Sequence, residues 1–431
     1  MEQVFIVNLP ERKDRRTSIV SDFAAHEGFT CKIITPVKDI RPAKSLWLTL
    51  KQIIQIEVDW SKDYFIFCED DHQFTKHFSI EFLQLCIDEA RRLKADILSG
   101  GVSWQRTSIQ VTDNLFWIEK FSGLQFTIIF RKFYDTIMAA TFAQEDVADH
   151  KLSSLTENKF VMFPAISVQK EFGYSDVTPV NNAVGRVDFL FARTNHILHS
   201  LQQIRLAYNK SIPSNVDLSN FNEISLPVYI IGKSCTDRFM KIQRQFAGRQ
   251  EFELNFVESP ERKNETAELW DSIVISVKKA IENGDDFFIL CEADHEFTGC
   301  YNRDNFVRHI IGAYTQKADL LSGGIGGFGV AMPVNQQRYW IDWLWYTQFI
   351  VIFRQFYQQI LSYNFQKTDK PDSVFSKLSK NKMVIHPFIS SPTSFNNSNI
   401  ANNLKGKAPQ IFKQADKRFQ IYEKINARFS R

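Results

Sequence analysis

Asp63-Tyr-Phe-Ile-Phe-Cys-Glu-Asp-Asp-His-Gln-Phe-Thr75 returns 223 residues later as Asp286-Phe-Phe-Ile-Leu-Cys-Glu-Ala-Asp-His-Glu-Phe-Thr298. In each copy an unbroken apolar run ends abruptly in carboxylates. A run with no polar alternation reads as a strand covered on both faces, the pattern of a parallel sheet between helices. Carboxylates directly after such a strand stand at its carboxyl end, where open α/β sheets place their ligands.

Working outward, the same interval relates Lys94-Ala-Asp-Ile-Leu-Ser-Gly-Gly101 to Lys317-Ala-Asp-Leu-Leu-Ser-Gly-Gly324, Gln125-Phe126 to Gln348-Phe349, and Phe130-Arg131 to Phe353-Arg354. It also relates Trp47 to Trp270, Trp117 to Trp340 and Pro164 to Pro387. Near the start the interval is 224 (Phe5-Ile-Val7 with Tyr229-Ile-Ile231), and near the end 221 (Asn181-Asn182 with Asn402-Asn403). Surface-loop insertions produce such drift. A chain of 431 residues also exceeds what one core usually supports. The reading is therefore two domains, 1–210 and 226–431, joined by a linker over 211–225, where Ser211-Ile-Pro-Ser-Asn-Val-Asp-Leu-Ser-Asn-Phe-Asn-Glu223 is rich in turn formers.

Within the first copy, short apolar runs at Val4–Val7, Tyr64–Cys68, Ile97-Leu98 and Phe126–Phe130 alternate with helical patterns at Leu46–Ile54 and Phe82–Leu93. The second helix is expected to bury Phe82, Leu85, Cys86, Ala90 and Leu93. This alternation predicts an α/β fold with a mostly parallel, Rossmann-like sheet in each domain.

The bulk numbers exclude several classes. A net charge of +3 with 23% charged residues offers no strongly basic face, so no nucleic-acid partner is expected. None of the six cysteines forms a CxxC pair or a zinc-type cluster. Met1-Glu-Gln-Val-Phe5 does not read as a secretory leader, and no apolar stretch is long enough to span a bilayer. A cytoplasmic chain is expected. The segment Ile411–Arg431 predicts an amphipathic helix, with Phe412, Ala415, Phe419, Tyr422 and Phe429 on one face and basic residues opposite. Such a helix suits either packing on its own domain or contact with an anionic membrane at the inner face of the cell membrane.

Four groups of residues carry chemistry. Glu69, Asp70 and Asp71 repel one another unless solvated or holding a cation, and Mg²⁺ or Mn²⁺ favours a few carboxylates plus substrate phosphate oxygens. The second copy keeps Glu292 and Asp294, a Glu-x-Asp pattern still able to hold a metal, but has Ala293 for Asp70. Asp146 and Asp149, matched by Asp369 and Asp372, are either helix caps or the general base for an acceptor hydroxyl. After the first strand, Arg12, Arg15 and Arg16, with Asn8, either form a solvated polar loop or meet a nucleotide or diphosphate. The loop from Pro164 through Gln169 to Gly173-Tyr-Ser-Asp176 can contact sugar hydroxyls or a metal. His72 is open between a metal or phosphate contact and packing, and Trp117, Trp340 and Trp343 between sugar platforms and core.

Together these motifs resemble a GT-A-fold glycosyltransferase, with similarity to glycosyltransferase family 25. Val4-Phe-Ile-Val-Asn-Leu-Pro-Glu-Arg12 with Asp14-Arg15-Arg16, the acidic Glu69-Asp70-Asp71, Ala148-Asp149-His150, and the segment Pro164–Val177 occur in the family's order. The Ser-His that the family carries before its acidic motif has no counterpart in the Leu46-Trp47 helix. The resemblance implies two tandem GT-A-like domains and inverting transfer from a nucleotide-sugar donor. It also implies Mn²⁺ or Mg²⁺ at Asp71 with Glu69 or Asp70, and a cell-surface glycan, lipopolysaccharide-type or lipid-linked acceptor. Rival readings are a nucleotidyltransferase, although Asn8-Leu-Pro-Glu11 lacks a glycine-rich loop, and a degenerate sugar-binding or scaffolding pair. The second copy is expected to be the weaker half. There Asn8, Leu9 and Arg12 become Gly232, Lys233 and Thr236, and Gln169, Gly173 and Asp176 become Pro392, Asn396 and Asn399.

Overall fold

The computed structural model describes residues 1–174, 179–208, 224–232, 237–260, 264–392 and 408–429. The chain divides into two compact units, Met1–Gln203 with Asn426–Arg431, and Ile204–Ile425.

The first unit contains the strands β1 (Glu2–Val7), β2 (Phe29–Ile34), β3 (Tyr64–Glu69), β4 (His72–Phe74), β5 (Ile97–Ser99), β6 (Trp104–Gln110), β7 (Leu115–Ser122), β8 (Phe126–Phe130), β9 (Lys159–Met162) and β10 (Ser167–Gln169). Its helices are α1 (Lys13–Ala24), α2 (Pro42–Gln52), α3 (Ile80–Arg92), α4 (Tyr134–Ala139), α5 (Ala148–Ser154) and, at its end, α6 (Arg186–Tyr208). Eight strands form one sheet in the order β2-β1-β3-β8-β5-β9-β7-β6. Six run one way, while β8 and β7 are reversed between antiparallel neighbours. The fold is α/β with a mostly parallel sheet.

The second unit repeats this with β11 (Leu226–Gly232), α7 (Asp237–Phe246), β12 (Phe252–Glu258), α8 (Glu265–Asn283), β13 (Phe287–Glu292), β14 (His295–Phe297), α9 (Arg303–Thr315), β15 (Leu320–Ser322), β16 (Ala331–Asn335), β17 (Arg338–Ile341), β18 (Phe349–Phe353), α10 (Arg354–Ser362), α11 (Pro371–Leu378), β19 (Lys382–Ile385), β20 (Ser390–Pro392) and α12 (Ala408–Phe429). Its sheet order, β12-β11-β13-β18-β15-β19-β17-β16, is that of the first unit element for element. The two units are tandem Rossmann-like domains.

The repeated motifs have local reasons. Phe65, Ile66, Phe67 and Cys68 of β3 are all buried, as their continuous apolar pattern requires. Ser79 caps α3 by accepting the Phe82 N–H, and Asn302 does the same for α9 through Asn305. Ser-Gly-Gly recurs because the backbone of the late loop passes against it. A Cβ at Gly101 would lie 2.1 Å from the Ser167 carbonyl oxygen, and one at Gly324 2.2 Å from that of Ser390.

On α3 the buried stripe is Leu83, Cys86, Ile87 and Ala90, not the expected set: Leu85 is exposed. The observed spacing keeps the i, i+3, i+4, i+7 period, which the sequence reading had displaced around the helix. On α12 the buried face is Phe412, Ala415, Phe419, Tyr422 and Ile425, so Ile425 rather than Phe429 continues it. Phe419 stacks on Phe328 at 4.4 Å and meets Tyr339 at 4.9 Å, and the Tyr422 hydroxyl accepts the Ala331 N–H at 3.2 Å. This apolar face is spent inside the second unit and is not offered to a membrane. Among the described residues no helix is long and apolar enough to cross one.

Candidate functional site

Parallel pairing of β1 with β3 sets Val7 opposite Glu69, so the residues after both strands meet at the same edge of the sheet. Asn8, buried there, donates from Nδ2 to Asp70 Oδ2 at 2.9 Å and to the Arg12 carbonyl at 3.3 Å. Arg15, from the first turn of α1, donates from one terminal nitrogen to Asp70 Oδ1 at 3.0 Å and to Asp71 Oδ2 at 3.1 Å. Its other terminal nitrogen reaches the Tyr174 carbonyl at 2.7 Å. The rings of Tyr174 and Phe172 lie 4.5 and 5.0 Å from the guanidinium carbon. Arg12 stands 3.6 Å from Asp70.

This alters the sequence reading of the acidic motif. Its charge already has a protein partner, the Arg15 guanidinium, where the sequence reading left it either solvated or holding a cation. Asp70 is consumed by Asn8, Arg15 and Arg12 and acts as an anchor. Burial alone pulls the Arg15 proton down, but Asp71 and Asp70 outweigh it and hold the guanidinium above its usual range.

Two carboxylates remain on the far side. Asp71 Oδ1 is buried and accepts no hydrogen bond among the described residues, and the Arg15 Nε–H is likewise buried with no partner. Burial pushes the Asp71 carboxyl up to about 6, with Arg15 opposing and Asp70 adding to the rise. Glu69 is raised well above the usual carboxylate range by burial, then by Asp71, Asp70 and Asp149. Asp149 is therefore close enough to Glu69 for its charge to act there. It sits in the first turn of α5, where it accepts the Gly123 N–H at 3.1 Å and the His150 N–H at 2.8 Å. Asp146 is held elsewhere. It pairs with Lys151 at 3.0 Å and accepts the Ala143 N–H at 2.7 Å, which keeps its carboxyl below the usual range. The structure thus brings Asp149, and not Asp146, to the acidic cluster.

The late loop is tied to this turn by a two-stranded ribbon in which Gln169 pairs with His72, and the Lys170 N–H reaches the Asp71 carbonyl at 2.7 Å. Asp176 lies outside the described residues. His72 is a packing residue. It is buried beside Phe74 and Phe126, its Nδ1 is 2.8 Å from Ser167 Oγ, and burial pulls its imidazole down to about 3. Trp117 and Trp340 are core residues whose indole N–H groups reach the carbonyls of Glu157 and Lys380.

In the second unit Gly232 and Ala293 replace Asn8 and Asp70 together, and a Cβ at Gly232 would stand 3.6 Å from that of Ala293. A polar pair has become an apolar one. Glu292 is pushed up to about 8 by burial and Asp294, with the Thr347 hydroxyl, 2.5 Å away, opposing and Asp372 adding. The register across α1 and α7 is 223, because the Phe74 N–H meets Asp22 as the Phe297 N–H meets Gln245. In that register Arg15 aligns with Arg238, a correspondence hidden when the interval of 224 is carried on from β1. Phe172 was missed by sequence reasoning, and Tyr174, inside the Gly173-Tyr-Ser-Asp176 stretch, was read toward sugar or metal rather than as a clamp on Arg15.

Among the described residues no three His, Cys, Asp or Glu side chains form a ready-made metal cage. No protein-family model matches the chain, and no curated protein matches it. Solved structures with some similarity include A197 from STIV (12% identity over 37% of this chain and 81% of that one, TM-score 0.28). Others are apo UDP-glucose pyrophosphorylase (9%, 45% and 82%, TM-score 0.26) and the apo glycosyltransferase GlyE of Streptococcus pneumoniae TIGR4 (7%, 73% and 98%, TM-score 0.26).

Proposed function

We propose that the first unit transfers a sugar from a nucleoside-diphosphate donor to a hydroxyl acceptor, with Mg²⁺ or Mn²⁺ at Asp71 and Glu69. The observation that carries this reading is a pair of orphaned atoms on two side chains that are bonded to each other elsewhere: Asp71 Oδ1, an acceptor, and Arg15 Nε–H, a donor, both buried and unpartnered among the described residues. A buried polar atom left unpaired costs about 1–3 kcal/mol, and more when charged, so such a pair fits a ligand carrying both signs. A divalent cation with a phosphate oxygen is that ligand. Oxygen donors suit a hard cation, and Mg²⁺ commonly takes only one or two carboxylates plus substrate phosphates, so a two-carboxylate site is sufficient.

When bound, the cation supplies positive charge opposite the departing diphosphate. Arg15 offers its Nε–H to the same group while Asp70, itself held by Asn8, fixes the guanidinium. Asp149, oriented by two backbone N–H groups, takes the acceptor proton. Gln169, which pairs with His72 on the ribbon following Asp71, is assigned to contact with the donor.

The test is a screen of UDP-, GDP- and dTDP-sugars with and without Mn²⁺, read as nucleoside diphosphate release. Metal-stimulated release that Asp71→Ala abolishes is the expected result. Unchanged nucleotide affinity and metal dependence in that variant would sink the assignment. Formation of a nucleoside triphosphate and sugar 1-phosphate on adding pyrophosphate would instead establish the nucleotidyltransferase reading.

A further inference from the structure

The second unit departs from the first most sharply at one loop beside its acidic residues. Where the first unit has Lys120-Phe-Ser-Gly123, the second has Trp343-Leu-Trp-Tyr346. Leu344 is buried, while Trp343 and Trp345 are 37% and 49% exposed. Two tryptophans within three residues, both open to water, form an apolar patch that folding alone does not require.

The backbone accommodates this loop specifically. Gly123 takes a positive φ of 111°, and at the aligned position Tyr346 holds φ 73° despite its bulky side chain. Gly326 and Gly327 make room. A Cβ at Gly326 would lie 2.6 Å from Tyr346 Cδ2, and one at Gly327 3.3 Å from Trp345 Cε3. The aligned residues of the first unit are Ser103 and Trp104, so the glycine pair accompanies the aromatic loop. Trp345 is fixed by its carbonyl, which accepts the Gly326 N–H at 2.9 Å, and by its N–H, which reaches the Gly327 carbonyl at 3.1 Å.

The patch borders polar groups. The Tyr346 phenol is close enough to Asp294, Asp372 and Glu292 to feel each charge, and the next residue, Thr347, donates to Glu292 at 2.5 Å. An exposed indole one residue along the chain from that phenol and two from that hydroxyl, which in turn border carboxyl groups, matches one chemistry in particular. A pyranose presents an apolar C–H face for the ring and hydroxyls around its rim for the acids. A lipid chain offers these groups no hydrogen-bond donor.

We propose that the second unit binds a neutral glycan chain, with Trp345 and Trp343 under the sugar faces and Tyr346, Glu292, Asp294 and Asp372 contacting hydroxyls. The experiment titrates the intact chain with cellotriose, maltotriose and chitotriose, followed by tryptophan fluorescence and calorimetry. Neither nucleotide nor divalent cation is present, so the outcome stands apart from the transferase reading of the first unit. Saturable binding of at least one trisaccharide is expected, weakened at least tenfold in Trp345→Ala and largely retained in Trp345→Phe. Trp345 is surface-exposed, and circular dichroism melts confirm that both variants fold. Binding of none of the three, or equal binding by Trp345→Ala, overturns the proposal. So does a concentration-dependent dimer of the parent chain that Trp345→Ala abolishes, which would assign the tryptophans to a self-interface.

Discussion

Arg15 is the residue on which the first site turns, and its position makes two testable demands. Its side chain is almost wholly buried between Asp70 and Asp71. Removing one partner of a buried ion pair leaves an uncompensated charge and costs about 3–5 kcal/mol. Arg15→Ala should therefore lose that much stability in urea denaturation. Asn8→Gly with Asp70→Ala, which copies Gly232 and Ala293, should lessen the loss caused by Arg15→Ala, because one of the two carboxylates left stranded is gone. The second demand concerns pH. Asp71 is raised in the folded protein to about 6, against an ordinary carboxyl value near 3.8. A raised acid is no burden below the unfolded value and becomes one as pH climbs through the folded value. The stability of the metal-free parent relative to Asp71→Asn should therefore fall between about pH 4 and 7. Mn²⁺ should raise the melting temperature of the parent mostly above pH 6 and that of Asp71→Asn little. Equal Mn²⁺ shifts at pH 5 and 7.5 would remove Asp71 from the metal site. The acidic motif and both arginines were legible in the sequence. Their partnership was not, since residues 56 positions apart meet only because β1 and β3 are neighbours.

At the level of elements, sequence periodicity carried the apolar strands and the alternation with helices, because continuous burial leaves an unbroken apolar run. It could not show that β8 and β7 are reversed, since a fully buried strand reads the same in either direction. Nor did it show the β6–β7 hairpin, whose β6 begins half-open at Trp104 and Arg106 and so lacks a clean pattern. Which of Asp146 and Asp149 lies near the acidic cluster is likewise set by an element rather than a motif. The start of α5 points Asp149 toward Gly123 and the acidic end of β3, while Asp146 closes its own loop with Lys151. Asp149→Asn should cut turnover by about two to four orders of magnitude with donor affinity nearly unchanged. Asp146→Asn should cost some stability and little activity. The reverse result in steady-state kinetics would exchange their roles. The amphipathic pattern of α12 was legible, but an apolar face looks the same whether a membrane or a core covers it. With Phe419 stacked on Phe328 and Tyr339, Phe419→Ala should lose about 3–5 kcal/mol in chemical denaturation. The parent chain should not pellet with anionic liposomes.

Across the whole molecule, one topology occurs twice and carries two candidate sites of different character. The first keeps the Asn8–Asp70 pair, the Arg15 clamp and the orphaned Asp71 oxygen. The second has exchanged the polar pair for Gly232 and Ala293, and has gained an exposed aromatic loop with a glycine pair to seat it. It retains Glu292, Asp294 and Asp372, and Arg238 in register with Arg15, so loss of nucleotide chemistry there does not follow from sequence alone. The two sites are separable by crossing their variants on two ligands. Asp71→Ala should abolish metal-dependent nucleoside diphosphate release while trisaccharide binding persists. Asp294→Ala should weaken trisaccharide binding several-fold while donor hydrolysis in water continues, because Asp71, Glu69 and Asp149 are untouched. Both variants should be measured on the same donor, at the same Mn²⁺ concentration and near pH 7.5, where the parent Asp71 is ionised. If Asp294→Ala silences donor hydrolysis and Asp71→Ala does not, the second unit is the transferase, and the Arg15 clamp is a relic that stabilises the first. If each variant halves the rate, both units turn over donor, and the aromatic loop then distinguishes their acceptors rather than their chemistry.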